Sequence, residues 1–527
     1  SLTKMIYDHN PEIPSLLAQG IHGIRYNSML NGLAPVRAAM GNTILTVGKP
    51  VTALAGSAFS PSRAADVQRA LYTYGGVMEN LNRAFKHMAK EWNYVVANPE
   101  QAMLRGRHDV KFAQSDNFEV LEAMAEGWRE NGEIGKLGLL NMAKFTSWYN
   151  DNKFMRWGLN MLHAIDGFTN SMMASGMARA NAYDEIFEST KGSLAPGKFD
   201  ELFTKKQAEL YDKAFDKTGL LTDEAARHAA SEIALNLDNK VVKKLDNLIA
   251  HVPALKPLFM FPRTGINGLQ MAWSYNPISA LGLSIGKARQ VFEAVTPSQM
   301  TDALRAHGID EFSQPAFQAL KNEYRGRQVM GAAVVSAAGF AAVNGDLTGN
   351  GPHDAEEKRD MMRLGWKPTS IRINGEWYSY RGLEPYQQTL SMVADVIYNA
   401  DRVDSAITED WLRKIGYSIS MNVTNQSFLS GMAPLVGLIN GDETQQKRFL
   451  AGWVDTAVPF YWSGARSILN KAISPQLKDV DNEITEYWKN NSKFLFSSND
   501  DLKDQLDIYT GDRINYHEPL TAAVNSV

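Results

Sequence analysis

The stretch MGNTILTVGKPVT, Met40 to Thr52, is the nearest approach in this chain to a phosphate-binding loop. In the pattern G-x-x-x-x-G-K-S/T, backbone N–H groups cradle phosphate oxygens, the lysine reaches the terminal phosphates and the hydroxyl holds Mg²⁺. Here Thr43 replaces the first glycine and Pro50 the hydroxyl residue, so Gly48 and Lys49 lack the rest of the cradle. The patterns H-E-x-x-H and G-x-G-x-x-G do not occur. The 10 histidines are dispersed, and His228 has no second histidine one helical turn away, the pattern of a surface or core side chain rather than a metal ligand. With no cysteine in 527 residues, disulfides, thiolate metal sites and cysteine nucleophiles are excluded. Neither catalysis nor a metal or cofactor is expected. Arg105, Arg107, His108 and Lys111 gather in MLRGRHDVKF, a group suited to phosphate contact or to a solvated basic face.

The elements that would have to position any site are mostly helices. Hydrophobic residues make up 44% of the chain, enough to supply real cores, and Lys+Arg 54 against Asp+Glu 58 leaves a net charge of only -4, so no bulk pull toward DNA or an acidic membrane follows. Asp116 and Glu119 form a D-x-x-E pair ahead of a helix that Gly132 stops. Helices are likewise expected to open at Thr222 and at TPSQMTDALRAHG, where Gly308 ends the run, and Ala64 to Val96 has helical apolar spacing. The N-terminus has neither a signal-peptide pattern nor an initiator Met, as in a processed chain or part of a longer polypeptide.

One segment breaks the helical pattern. Between Ile371 and Tyr380 the period becomes two, and Asn374-Gly375 supplies the positive φ angles of a type I′ turn. The expected register pairs Ile373 with Glu376, Arg372 with Trp377 and Ile371 with Tyr378. That places Ile371, Ile373, Tyr378 and Tyr380 on a face needing cover, and Arg372 across from Trp377 in cation–π range. The fold class expected is mainly α, an elongated multi-helix architecture with one small β-hairpin near residues 369–380. Gly, Pro and Asn clusters suggest four regions: an N-terminal helical region 1–190, a central helical region 191–345, a Gly/Pro loop with hairpin and following helix 346–400, and a C-terminal helical region 401–527.

Charge is unevenly spread. Thr264 to Gly286 contains 23 residues without a charge and Ile415 to Gly441 another 27. A third run, Gln328 to Gly345, carries small residues at i and i+4, Ala332 with Ser336 and Ala333 with Ala337, which permit close helix approach. None reads as a simple membrane span, because polar residues and proline interrupt them or they are too short. They suit either buried core helices or surfaces that line a pore or an interface. Met155, Met161, Met172, Met173 and Met177 are either an adaptable surface or ordinary packing.

Four stretches taken in order resemble the large internal virion proteins, or DNA-ejection proteins, of short-tailed bacteriophages. They are LNMLHAIDGFTNSMMASGMARANAYDEIFE (Leu159 to Glu188), HVPALKPLFMFPRTGINGLQMAWSYNP (His251 to Pro277), GAAVVSAAGFAAVNGDLTGNGPHD (Gly331 to Asp354) and the hairpin itself. The resemblance implies a protein packed in the capsid near the portal and tail, released with the genome, and assembled as a conduit for phage DNA in the host envelope. Its implied partners are further copies of itself in a ring or tube, other ejection proteins, envelope lipid and DNA held non-specifically. The cell-wall-cleaving module of some members is not visible. Arg263, Asn267, Gly331, Ala333, Ala337, Arg372, Trp377, Tyr378 and Tyr380 are the candidate structural and assembly residues. The alternatives are a capsid-internal scaffold or portal-associated protein, and a non-catalytic part of a giant virion enzyme.

Overall fold

The computed structural model describes residues 13–99, 115–238, 262–275 and 286–400, with breaks at 33, 191–192, 194–195, 353–354, 382 and 384–385, plus isolated positions at 243–244 and beyond 475. The chain is mainly helical, as expected, with one two-stranded antiparallel sheet among these residues. In order the first helices are α1 (Ile13–Leu30), α2 (Ala34–Ser57), α3 (Arg63–Glu79), α4 (Leu81–Ala97), α5 (Ser115–Glu130) and α6 (Ile134–Asp151). There follow α7 (Trp157–Thr190), α8 (Pro196–Lys213), α9 (Glu224–Ile233), α10 (Pro262–Ser274), α11 (Lys287–Glu293) and α12 (Pro297–Arg305). The last are α13 (Gln314–Val343), α14 (Ala355–Arg363), the strands β1 (Ser370–Ile373) and β2 (Glu376–Ser379), and α15 (Tyr386–Ala400).

Local punctuation follows side-chain chemistry. Thr296 and Gln299 complete a reciprocal capping box at the start of α12, and Gly308, at φ +79°, closes the turn after it. The cap of α9 is Asp223, one residue later than Thr222, because its carboxylate accepts the Ala226 N–H at 2.7 Å. The span from Ala64 to Val96 is helical as its spacing implies, in two helices parted at Asn80. Asn80 turns its amide inward instead, donating to the Ser171 carbonyl at 3.0 Å.

The long helix α7 is the hub. It is buried on most of its circumference, which its run of Ala, Ser, Gly and Met allows, and α3, α4, α8, α9 and α2 pack around it. Met172 and Met173 lie in its core and Met177 is half-buried, so these methionines fill space. A second core joins Leu16 of α1, Leu121 and Ala125 of α5, and Leu140 and Ala143 of α6. The most extensive helix pairing is that of α2 with α13, residues far apart in the chain.

The hairpin forms in the expected register, Ile373 with Glu376, Arg372 with Trp377 and Ile371 with Tyr378. Asn374 and Gly375 have φ of 53° and 88°, the left-handed pair of a type I′ turn. Its outer edge is closed by the loop after α13. Thr348 N donates to Ser370 O at 2.9 Å, Thr369 N to Gly349 O at 2.7 Å, and Arg372 N to Asp346 O at 2.7 Å. Of the face expected to be covered, Tyr380 is buried against Ala338, Leu347 and Ala394, and Ile371 packs beside them. Ile373 is 50% exposed and Tyr378 half-exposed, so the base is docked while the tip stands free.

Candidate functional site: the seam of two helices and its uncharged outer face

The α2–α13 seam is antiparallel and unusually close, because each helix offers glycine where the other offers backbone. A Cβ built on Gly56 would lie 1.7 Å from the Asn322 carbonyl oxygen, and one on Gly326 would lie 1.6 Å from that of Thr52. One turn further, a Cβ on Gly331 would fall 1.4 Å from the Tyr275 carbonyl oxygen. Only glycine fits these three positions with the backbones as they stand. Gly331, one of the candidate structural and assembly residues, faces the end of α10.

Four charged side chains lock the seam. Lys49 of α2 donates to Glu232 of α9 at 2.8 Å and to Glu323 of α13 at 2.6 Å, and Arg327 donates to Glu232 at 2.7 Å and to Glu323. The stretch that mimics a phosphate loop is thus helix, and its lysine is committed to carboxylates. Arg327 is 5% exposed and lies between the rings of Tyr324 and Tyr275, 4.9 and 5.7 Å from their centroids. Burial alone would depress the Lys49 ammonium and Arg327 guanidinium, but the two carboxylates outweigh it and hold both above their usual values. Burial would likewise raise both carboxyls; Arg327 and Lys49 outweigh it and keep them below the usual range, Glu232 well below.

A histidine pair borders this cluster. Lys287 Nζ lies 2.6 Å from His228 Nε2 and donates to the Ala306 carbonyl at 2.8 Å. An ammonium can only donate, so His228 accepts through Nε2 and carries its proton on Nδ1. His307 donates from Nδ1 to the Ala303 carbonyl at 2.7 Å, and its Nε2, 3.0 Å away, accepts from the Tyr324 hydroxyl. Burial first and Lys287 second push His228 down to about 2, and burial pushes His307 down to about 4, so both rings are neutral. Among the described residues no three His, Asp or Glu side chains converge with metal-ligand geometry.

Beyond Arg327, α13 carries no charge to its end. One face of this half is exposed along Val329, Ala332, Ala333, Ser336, Ala337, Phe340 and Val343, a helical stripe in which Phe340 is 74% and Val343 73% exposed. Ser336 turns its hydroxyl back onto the Ala332 carbonyl at 2.8 Å, reducing the polarity of the stripe. Ala333 and Ala337 therefore face outward rather than into the α2 seam, which the glycines make. This helix is also the one among the described residues that is long and apolar enough by composition to cross a membrane, although Lys321, Glu323, Arg325 and Arg327 occupy its first half.

The remaining candidates hold the fold. Arg263 pairs with Asp238, and Asn267 donates to the carbonyls of Leu235 and Leu237, both at 2.9 Å, tying α10 to the end of α9. Arg372 lies 5.4 Å over the Trp377 ring, as its register implies, and also pairs with Asp346 at 2.9 Å. Tyr380 donates its hydroxyl to the Thr348 carbonyl at 2.6 Å, whereas Tyr378 reaches only Glu376 beside it. Arg105, Arg107, His108, Lys111 and the run from Ile415 to Gly441 lie outside the described residues, as does Thr264 to Gly286 beyond Tyr275, apart from Gly286 itself. Reasoning from sequence missed the charge cluster; its one local trace was the i, i+4 spacing of Glu323 and Arg327. Comparison of the chain with protein-family models, curated proteins and solved structures returns no match.

Proposed function

We propose that the protein is an internal virion protein of a short-tailed bacteriophage, ejected with the genome and assembled with further copies of itself into a conduit for phage DNA in the host envelope. It acts without catalysis of its own. The supporting observation is the outer face of α13, an uncharged apolar stripe ending in Phe340 and Val343, exposed in the single chain. A ring or tube of copies, or contact with lipid, removes that face from water. The charged first half of α13 stays within the protein, so the helix lies along an interface and does not cross the bilayer alone.

The test is liposome flotation and dye release with the intact chain beside the Ala333→Asp and Phe340→Asp variants, whose helical content is checked by circular dichroism. Both variants are expected to lose association while remaining folded. Unchanged binding by both favours the capsid-internal scaffold. Imaging virions before and after genome release, with this polypeptide labelled, separates a protein that leaves the capsid from one that stays.

A further inference from the structure

Behind the charge cluster lies a cavity of about 370 Å³, bounded by α2, α3, α7, α9, α13 and the turn from His307 to Glu311. Its inner wall holds the Glu232 and Glu323 carboxylates, already paired with Lys49 and Arg327, and beside them N–H donors with capacity left. Asn322 is 1% exposed, and its Oδ1 accepts from Gln318 Nε2 at 3.0 Å and Arg325 Nη1 at 3.4 Å. Two donors on one atom fix the amide with oxygen on that side, which leaves Nδ2 in the wall without a partner. Lys49 uses two N–H bonds on Glu232 and Glu323 and keeps a third. His228, engaged by Lys287 at Nε2, carries its remaining N–H on Nδ1 in the same wall.

The rim has the opposite character. Asp223, Asp310 and Glu311 line the cavity and are exposed, and neither Asp310 nor Glu311 has an ion pair among the described residues. Met177 and Leu320 add apolar surface to the lining. A simple anion would suit the donors but must pass the carboxylates. A simple cation would suit the rim and leave the donors unmatched, which is costly for buried N–H groups. A molecule with a carboxylate at one end of a short frame and an ammonium at the other satisfies both.

We propose that this cavity binds a small zwitterion of the α-amino-acid class with an apolar side chain, its carboxylate toward Asn322, Lys49 and His228 and its ammonium toward Asp223, Asp310 and Glu311. The cavity volume falls within the range of small-molecule sites. This assignment is independent of envelope contact and of the outer face of α13.

The probes are L-leucine, 4-methylpentanoate, which lacks the ammonium, and isopentylamine, which lacks the carboxylate, each titrated into the full chain by calorimetry. L-Leucine is expected to bind at least about tenfold more tightly than either analogue. The double variant Asp310→Asn, Glu311→Gln, whose changes lie at the exposed rim and spare the core, is expected to weaken leucine about tenfold and to narrow its advantage over 4-methylpentanoate. Absence of saturable leucine binding at millimolar concentration, equal affinity for the three probes, or unchanged leucine affinity in the double variant each overturns the proposal.

Discussion

Gly326 of α13 rests on the carbonyl of Thr52 in α2, with space for a hydrogen and none for a methyl: an added Cβ would sit 1.6 Å from that oxygen. The obstacle is backbone, so relief requires the helices to separate. Gly326→Ala is expected to destabilise the protein by about 2–3 kcal/mol or more, in the range of overpacked cores. Gly339, in the same helix, meets nothing within 4 Å of an added Cβ. Gly339→Ala should stabilise by up to about 1 kcal/mol through helix propensity. Urea midpoints measure both, and similar values for the two would place the seam elsewhere.

Arg327→Met removes one cation from a buried set and leaves Glu232 and Glu323 with Lys49 alone. An uncompensated buried carboxylate costs on the order of 3–5 kcal/mol. The combined Glu323→Gln, Arg327→Met variant should lose less than the sum of the two single changes, since each already strands the other's partner. A double-mutant cycle in urea gives the coupling; strict additivity would mean that solvent screens the pair.

Acid should loosen the histidine corner. Unfolded, His228 and His307 titrate near 6.5; folded, burial holds them at about 2 and about 4, with Lys287 adding to the effect on His228. Between those values the unfolded chain binds more protons, so stability falls as pH drops from about 6.5 toward 4, by up to about 1.4 kcal/mol per unit for each ring. Glu232 and Glu323 are held below the usual carboxylate range, which delays their own protonation to lower pH. His307→Gln should flatten the profile of unfolding free energy between pH 4.5 and 6.5; a wild-type profile without slope there would contradict the neutral rings.

Within the hairpin, the position that matters is its base. Tyr380 is 3% exposed, with its hydroxyl on Thr348, whereas Ile373 is half in water. Tyr380→Ala is expected to cost about 3–5 kcal/mol, as for other large buried aromatics, and Ile373→Ser within about 0.5 kcal/mol. Equal thermal midpoints for the two would mean that the hairpin does not dock as described.

The contrast between hairpin and charge cluster shows what a sequence displays. Asn374-Gly375 and the alternating residues around it sit within ten positions, so turn chemistry alone set the register found. The capping box at Thr296 was legible for the same reason. Lys49 and Glu323 lie 274 positions apart and meet only because α2 and α13 pair, which no local pattern announces. The small residues of α13 signalled a close approach but not its direction: the glycines face α2 and α10, and the alanines at 333 and 337 face out. Asp223 capping α9 in place of Thr222 is a one-residue contest between two good caps, decided by which oxygen reaches the Ala226 N–H.

At 30 residues, α13 is a rod about 45 Å long. The glycine contacts and the ionic lock hold it near its midpoint, and the hairpin with its loop is fastened to the far end through Ala338, Ala341 and Ala342. The rod is thus fixed at its middle by Gly326 and Arg327 and at its end by the hairpin cluster. At the Ser313 end Phe317 and Leu320 pack against α11 and α12, so one continuous helix joins the hairpin to the core there.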